Sequence, residues 1–220
     1  MSTVDGLSNP IVFNILQDRQ GYMWFATLNG LNKYDGYKFT VFRRTPYAFM
    51  ALMAIHEDRN GNLWVGSGSG LQLVHRGTET STRYSFRGDV YCIFEDREGA
   101  LWFSDSTGLY VMDLTTKTIE YSYHHDTDET MSTRSLSSNI VNTMYEEPNG
   151  DLWIGTQNGL DYLDRKSDTF SHYVHDPQDP HSIGEGRVSV IHKDRNGNLR
   201  VGTEGGGLNL LDRSTGVFTH

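Results

Sequence analysis

Cysteine is almost missing from this chain. Cys92 stands alone among 220 residues, which excludes an internal disulfide framework and fits either redox compartment. Its setting, VYCIF, has the look of a strand, so a small buried hydrophobe is expected there. Proline is scarce at five residues, and no stretch approaches the roughly 20 apolar residues of a membrane span. The opening MSTVDGLSNP lacks the basic and apolar regions of a signal peptide. Basic residues are outnumbered, 19 against 28, for a net charge of −9. An acidic chain gains nothing from counterion release on a phosphate backbone, so nucleic acid is excluded as the expected partner. What the chain does have is 23 Gly, 12 Tyr, 10 Phe and 4 Trp. That mixture suits short strands and many tight turns rather than helices.

The dominant signal is internal repetition. Residues 56–71 read HEDRNGNLWVGSGSGL and residues 192–208 read HKDRNGNLRVGTEGGGL. Five copies align on Trp24, Trp64, Trp102, Trp153 and Arg200, beginning near Val12, Phe49, Val90, Val141 and Val188. Neighbouring copies lie 38 to 51 residues apart, which matches four-stranded propeller blades and not helical repeats of ~34 residues. Each copy reads as an apolar strand, a D-x-x-G turn, a strand such as LWVG, a T-x-N-G turn, a third strand and an aromatic fourth. The expected fold is therefore all-β: a β-propeller of five four-stranded antiparallel blades over residues 7–46, 47–87, 88–125, 135–174 and 182–220. The five form either a closed ring or an arc of a larger one.

Asp at the first and Gly at the fourth position of a turn have a local cause, because Asp bonds the following backbone and Gly tolerates positive φ. Asp18/Gly21, Asp58/Gly61, Asp96/Gly99 and Asp194/Gly197 follow this rule, and Glu147 replaces the acid before Gly150. These acids are read as turn formers. DRNGN hints at a calcium loop, but no bidentate acid follows at the twelfth position, so calcium is rejected. The tryptophans are expected to fill seams between blades, and Arg200 is read as a seam residue facing a neighbour's acid or a solvated edge.

The segments LSSNIVNTMYEEPNGDLWIGTQNGLDYLDR and LSNPIVFNILQDRQGYMWFATLNGLNKYDG resemble the repeats of two-component regulator propellers. The resemblance covers nearly the whole chain in five copies. It implies a periplasmic sensor region of a bacterial membrane receptor whose output is a histidine kinase, often hybrid, or a diguanylate cyclase. Such receptors usually carry more repeats, in one or two seven-bladed rings, followed by a small β-sandwich and a membrane helix. No phosphoacceptor-histidine motif, nucleotide-binding glycine box or GGDEF sequence occurs in these 220 residues. The chain is read as a slice of the sensor, non-catalytic in itself and without a cofactor.

A ligand is expected on the face carrying the T-x-N-G turns and the blade-to-blade connections, which would frame a channel mouth. Long connections on a rigid scaffold are where binding usually resides; here they are residues 122–139 and 175–187. The candidate ligand-binding residues are Asn29, Ser67, Ser69, Asp105, Ser106, Gln157, Asn158 and Glu204. Asp105 departs from the Thr or Ser of its register. His124, His125, Asp126, His175, Asp176 and His181 suggest a metal, but adjacent histidines on a loop seldom converge without a fixed third ligand, so none is expected. TPYAFM (45–50) is a further aromatic candidate surface. The expected partner is a glycan or another small extracellular cue, with self-association through a receptor dimer or blade edges, and no membrane contact. The alternatives are a propeller glycoside hydrolase or lyase, and a protein-interaction scaffold.

Overall fold

In the computed structural model, the residues described are 3–42, 51–78, 80–84, 88–126 and 132–220; the TPYAFM candidate lies outside them. The described residues form twenty strands in five antiparallel sheets of four. Blade 1 is β1 (Val12–Gln17), β2 (Met23–Thr27), β3 (Gly30–Tyr34) and β4 (Phe39–Phe42). Blade 2 is β5 (Leu52–Glu57), β6 (Leu63–Ser67), β7 (Gly70–His75) and β8 (Thr80–Tyr84). Blade 3 is β9 (Cys92–Glu95), β10 (Ala100–Asp105), β11 (Gly108–Asp113) and β12 (Ile119–Tyr123). Blade 4 is β13 (Val141–Glu146), β14 (Leu152–Thr156), β15 (Gly159–Asp164) and β16 (Thr169–Tyr173). Blade 5 is β17 (Val188–Lys193), β18 (Leu199–Thr203), β19 (Gly207–Asp212) and β20 (Val217–Thr219). A single 3₁₀ turn, Thr3–Asp5, precedes them.

Two compact units divide the chain. One comprises Met1–Glu95 with Gly99–Ser106, the other Asp96–Glu98 with Thr107–His220.

In the first unit, Trp24, Ala26, Leu31 and Phe42 of blade 1 pack against Leu52, Ile55, Leu63, Val65 and Val74 of blade 2. In the second, Trp153 and Leu160 of blade 4 pack against Val188, Ile191, Leu199, Val201 and Leu211 of blade 5, with Phe218 closing the cluster. The four tryptophans are buried to 4 % exposure or less, as expected of seam residues, each contributing ~1.5–3 kcal/mol by area removed from water. An aromatic partner from the fourth strand leans on three of them: Phe42 on Trp24, Tyr84 on Trp64, Tyr173 on Trp153. Cys92 is buried, and burial pushes its thiol up to about 12, which fits the small hydrophobe expected there and not a nucleophile.

Two glycine positions of the repeat have identifiable causes, the second of them occupied by glycine only in copies two, four and five. The turn glycines Gly21, Gly61, Gly99, Gly150 and Gly197 all lie between φ +80 and +95, a conformation costly for a residue with a Cβ. The glycine of LWVG and LWIG answers to packing instead. A Cβ on Gly66 would stand 2.6 Å from Val90 Cγ1, and one on Gly155 2.5 Å from Val188 Cγ1. The valine that opens the next blade occupies that space.

Candidate functional site

The D-x-x-G turn does more than reverse the chain. Asp18 Oδ1 accepts the N–H groups of Gln20 and Tyr22, while its Oδ2 accepts Trp24 Nε1–H at 2.7 Å. Asp58 repeats the pattern with Asn60, Asn62 and Trp64 at 2.9 Å. In blade 4 the longer Glu147 reaches Trp153 Nε1 at 3.0 Å. The acid and the tryptophan six residues later are thus one device: the carboxylate builds the turn and satisfies the one polar group of a buried indole.

This resolves Arg200. Its Nε and Nη2 both donate to Asp194 Oδ2, each at 3.1 Å. Arg200 keeps the indole's bond with a guanidinium, on its own blade's acid. The expectation of a neighbour's acid is corrected in that respect. Its side chain is 40 % exposed, so the solvated-edge half of that expectation holds.

A second layer joins each blade to the next. The turn residue after the acid donates its backbone N–H to a glutamate ending the following blade's first strand. Arg19 bonds Glu57 at 2.8 Å, Arg59 bonds Glu95 at 2.7 Å and Arg97 bonds Glu146 at 3.1 Å. In the fourth copy both partners change. Pro148 has no N–H to give, and Lys193 stands where the glutamate would be, its Nζ donating to Glu147 Oε2 at 2.8 Å.

The turn acid also needs a donor on its outer oxygen, and two solutions occur. Arg76, just past β7, donates Nη1–H to Asp18 at 2.6 Å. Arg165, just past β15, lies 3.2 Å from Asp96, and Arg213, just past β19, pairs with Glu147. In copies two and five the donor is local: Asn62 Nδ2 reaches Asp58 at 2.8 Å and Asn198 Nδ2 reaches Asp194 at 3.0 Å. Copies one, three and four have Tyr22, Ala100 and Asp151 at that fifth turn position and take the cation. The DRNGN echo of copies two and five is therefore a closed, self-sufficient turn. Although burial opposes it, the bond from Trp24 and then the other donors hold the Asp18 carboxyl below the usual range. In the exposed turn of copy five, Asn198 leads the donors that bring Asp194 to about 2.

At the other end of the strands the T-x-N-G turns are equally regular. Thr27 Oγ1 donates to Gly30 O and accepts Asn29 N–H, and Thr156 does the same with Gly159 and Asn158. Ser67 is wholly buried and bonds Ser69 Oγ at 2.9 Å and Gln72 Nε2 at 3.1 Å. Asp105 occupies the same register, also fully buried. Of the eight candidates, Ser67, Ser69 and Asp105 thus lie inside, while Asn29, Ser106, Gln157, Asn158 and Glu204 are exposed. Gln157 N–H bonds Ile140 O, Asn158 Nδ2 reaches Ser137 O at 3.4 Å, and Glu204 pairs with Arg187 at 2.5 Å.

The long connections are fastened by side chains that sequence reading passed over. Directly after G-L in β3, β15 and β19 come Asn32, Asp161 and Asn209, all buried. Each accepts a backbone N–H from the segment entering its blade: Ser8 at 2.8 Å, Ser137 at 2.9 Å and Gly184 at 2.7 Å. The histidines serve the same purpose. His124 Nδ1 meets Thr107 O, His125 Nδ1 meets Leu136 O and His175 Nδ1 meets Ile183 O.

His172 is the sharpest case. Its Nδ1 lies 2.7 Å from Asp161 Oδ1 and its Nε2 3.1 Å from Ser132 O. Both neighbours only accept, so both nitrogens must donate and the ring is an imidazolium. The bond to Asp161 raises its pKa above the ordinary value, against an opposing contribution from burial. Its stabilisation is complete below ~6.5 and is lost as pH rises through the raised value. An NMR titration of the His172 ring should give a midpoint above 6.5, with resonances of residues 132–139 shifting in step. A midpoint at or below 6.5 would contradict the imidazolium assignment.

Blades of this kind define a β-propeller class of repeat protein, and the class narrows on comparison. Residues 6–29, 48–69, 86–107 and 135–158 match the two component regulator propeller family, so four of the five copies carry that family's repeat. The fifth copy, with Arg200 for tryptophan, lies outside the matched ranges. Over 43 residues, 20 % of this chain and 3 % of the other, it is 46 % identical to Histidine kinase P4 of Formosa agariphila. The extracellular domain of the hybrid two component system BT3049 from B. thetaiotaomicron superposes with a TM-score of 0.82 at 28 % identity, covering 100 % of this chain and 31 % of that one. A second extracellular domain from that organism, BT4673, gives 0.78 at 21 % identity over 96 % of this chain and 27 % of that one. The chain therefore spans about a third or less of these proteins. Virginiamycin B lyase from Staphylococcus aureus shares the fold at a TM-score of 0.66 and 14 % identity, covering 94 % of this chain and 68 % of that one. Among the described residues no helix is long and apolar enough to cross a membrane.

Proposed function

We propose that this chain is the ligand-sensing, extracytoplasmic part of a two-component-type receptor, binding a carbohydrate or another small extracellular cue and doing no chemistry of its own. The observation that carries the reading is the likeness over the full chain to the extracellular domain of a hybrid two component system. The local build supports it. Exposed Asn29, Ser106, Gln157, Asn158 and Glu204 stand on turns fixed by buried hydroxyls and carboxylates, so polar groups are presented on a backbone that need not reorganise on binding. A ligand signals only if it binds one receptor arrangement more tightly than another.

The test is calorimetric titration against a panel of neutral and acidic oligosaccharides, with product analysis of the same mixtures. Saturable binding without turnover, weakened by Gln157→Ala or Asn158→Ala, supports the reading. Hydrolysis or elimination of any member of the panel would replace it with a propeller hydrolase or lyase. A stable protein partner with the glycan panel blank would make the chain an interaction scaffold.

A further inference from the structure

The seam between blades 4 and 5 holds a cleft of about 480 Å³ beside the turn of Glu147, within the ~300–1,000 Å³ range of small-molecule sites. Its walls include Glu147, Trp153, Tyr162, Tyr173, Lys193 and Arg213. All six belong to the second unit, and the chain itself supplies both sides of this seam. The cleft lies at the opposite end of the strands from the T-x-N-G turns, so it is distinct from the exposed turn residues considered above.

Two substitutions give the cleft its character. Arg76 is shared by two carboxylates, Nη1 with Asp18 and Nη2 with Glu57, each at 2.6 Å. Arg165 pairs with Asp96 at 3.2 Å and Glu98 at 3.0 Å. Arg213 pairs with Glu147 alone among the described residues, since Lys193 stands where the second glutamate would be. Lys193 takes the same carboxylate at 2.8 Å. Two cations therefore share one anion, and the wall carries a surplus positive charge. The nearby Asp151 does not offset it, being engaged by the Tyr162 hydroxyl at 2.6 Å and the Arg165 N–H at 3.0 Å. The second change lies over the indole. In blade 1, Arg76 and Lys33 stand 5.5 and 5.7 Å from the Trp24 ring. Tyr162 takes the register of Lys33 opposite the tryptophan, and among the described residues no cation covers Trp153. Trp153 is 4 % exposed where the other three tryptophans are wholly buried. Tyr162 and Tyr173 flank it with ring centres 4.6 and 5.7 Å away, so the floor is aromatic.

We propose that this cleft binds an acidic sugar, whose carboxylate takes the place of the glutamate that the other seams supply. Arg213 and Lys193 hold that carboxylate through charge-assisted bonds, and the apolar face of the pyranose ring lies on Tyr162 and Tyr173. A neutral sugar leaves the surplus charge unanswered, and a small anion leaves the rings uncovered. A carboxylated ring meets both. That the ring is a sugar rests on the carbohydrate reading above; the charge and the aromatic floor do not.

NMR titration of the intact chain tests this with D-glucuronate, D-glucose, benzoate and acetate as probes. Glucuronate should saturably shift the Trp153 indole resonance and the amides of residues 147–150, leaving those of Gln157 and Asn158 in place. The other three probes should bind at least about tenfold more weakly. Arg213→Gln should weaken glucuronate about tenfold or more, while Lys193 keeps Glu147 paired and circular dichroism reports an unchanged fold. Should that variant unfold, the shifts of the unaltered chain decide alone. No saturable shift at Trp153 overturns the inference, as does glucose, benzoate or acetate matching glucuronate, or a folded Arg213→Gln that binds as before. Oligosaccharides bound at Gln157 and Asn158, with Trp153 unmoved by glucuronate, would strike this inference and leave the earlier reading standing. Glucuronate held at Trp153, with no oligosaccharide moving Gln157 or Asn158, would uphold this site and overturn the turn-face assignment instead.

Discussion

Asp18→Ala should destabilise the first unit by about 3–5 kcal/mol, the scale of breaking a buried pair by removing one partner. The carboxylate is 4 % exposed. Its removal takes away the acceptor of Trp24 Nε1–H and of one arm of Arg76. Two turn N–H groups lose their acceptor as well. Asp194→Ala removes the same turn chemistry where the side chain is more open, so its cost should be clearly smaller and near that of an ordinary exposed cap. Urea unfolding of the two variants checks the contrast. Equal losses would show that the turn, and not the seam, carries the energy.

Lys193→Glu should be the next most damaging change, costing about 2–3 kcal/mol. It restores the glutamate that copies two to four carry, yet places it beside Glu147 where Pro148 has no N–H to offer it. Arg213 alone would then face two carboxylates. Adding Pro148→Arg supplies the missing donor and rebuilds the arrangement seen between Arg19 and Glu57. The double variant should recover at least half of the loss. No recovery would mean that Pro148 and Lys193 are unrelated substitutions.

Much of the architecture was legible because each copy repeats its own local rules. Asp with Gly three residues on, and an aromatic opening the second strand, fixed the blade count and the turns without any tertiary information. The bond between Asp18 and Trp24 was nearly legible as well, since acid and indole keep the same spacing in every copy and only the donor changes when Trp becomes Arg200. What stayed hidden depends on partners far apart in sequence. Arg76 caps an acid 58 positions away, and nothing in HRGT marks that arginine until blades 1 and 2 are side by side. Glu57, Glu95 and Glu146 had a signal, an acid directly before the turn acid, but its meaning required the preceding blade's N–H. The candidate ligand residues share a turn position and nothing else that the sequence shows. Within one three-residue turn, side chains that close the turn and side chains that face water sit next to each other, so buried Ser67 and exposed Gln157 share a turn but not a role.

The exchange of one cap for another between copies is tested most directly by a double-mutant cycle. Arg76→Leu removes the cation that blade 2 lends to Asp18, and Tyr22→Asn installs the local donor that copies two and five use. If the two caps are alternatives, Arg76→Leu alone loses about 2–3 kcal/mol from an acid left buried without its counter-ion. In the Tyr22→Asn background the same change should lose about 1 kcal/mol or less, giving a coupling energy well above the scatter expected of independent sites. If Arg76→Leu costs the same in both backgrounds, the asparagine and the arginine are not alternative solutions to one problem, and the two kinds of turn are not versions of a single device.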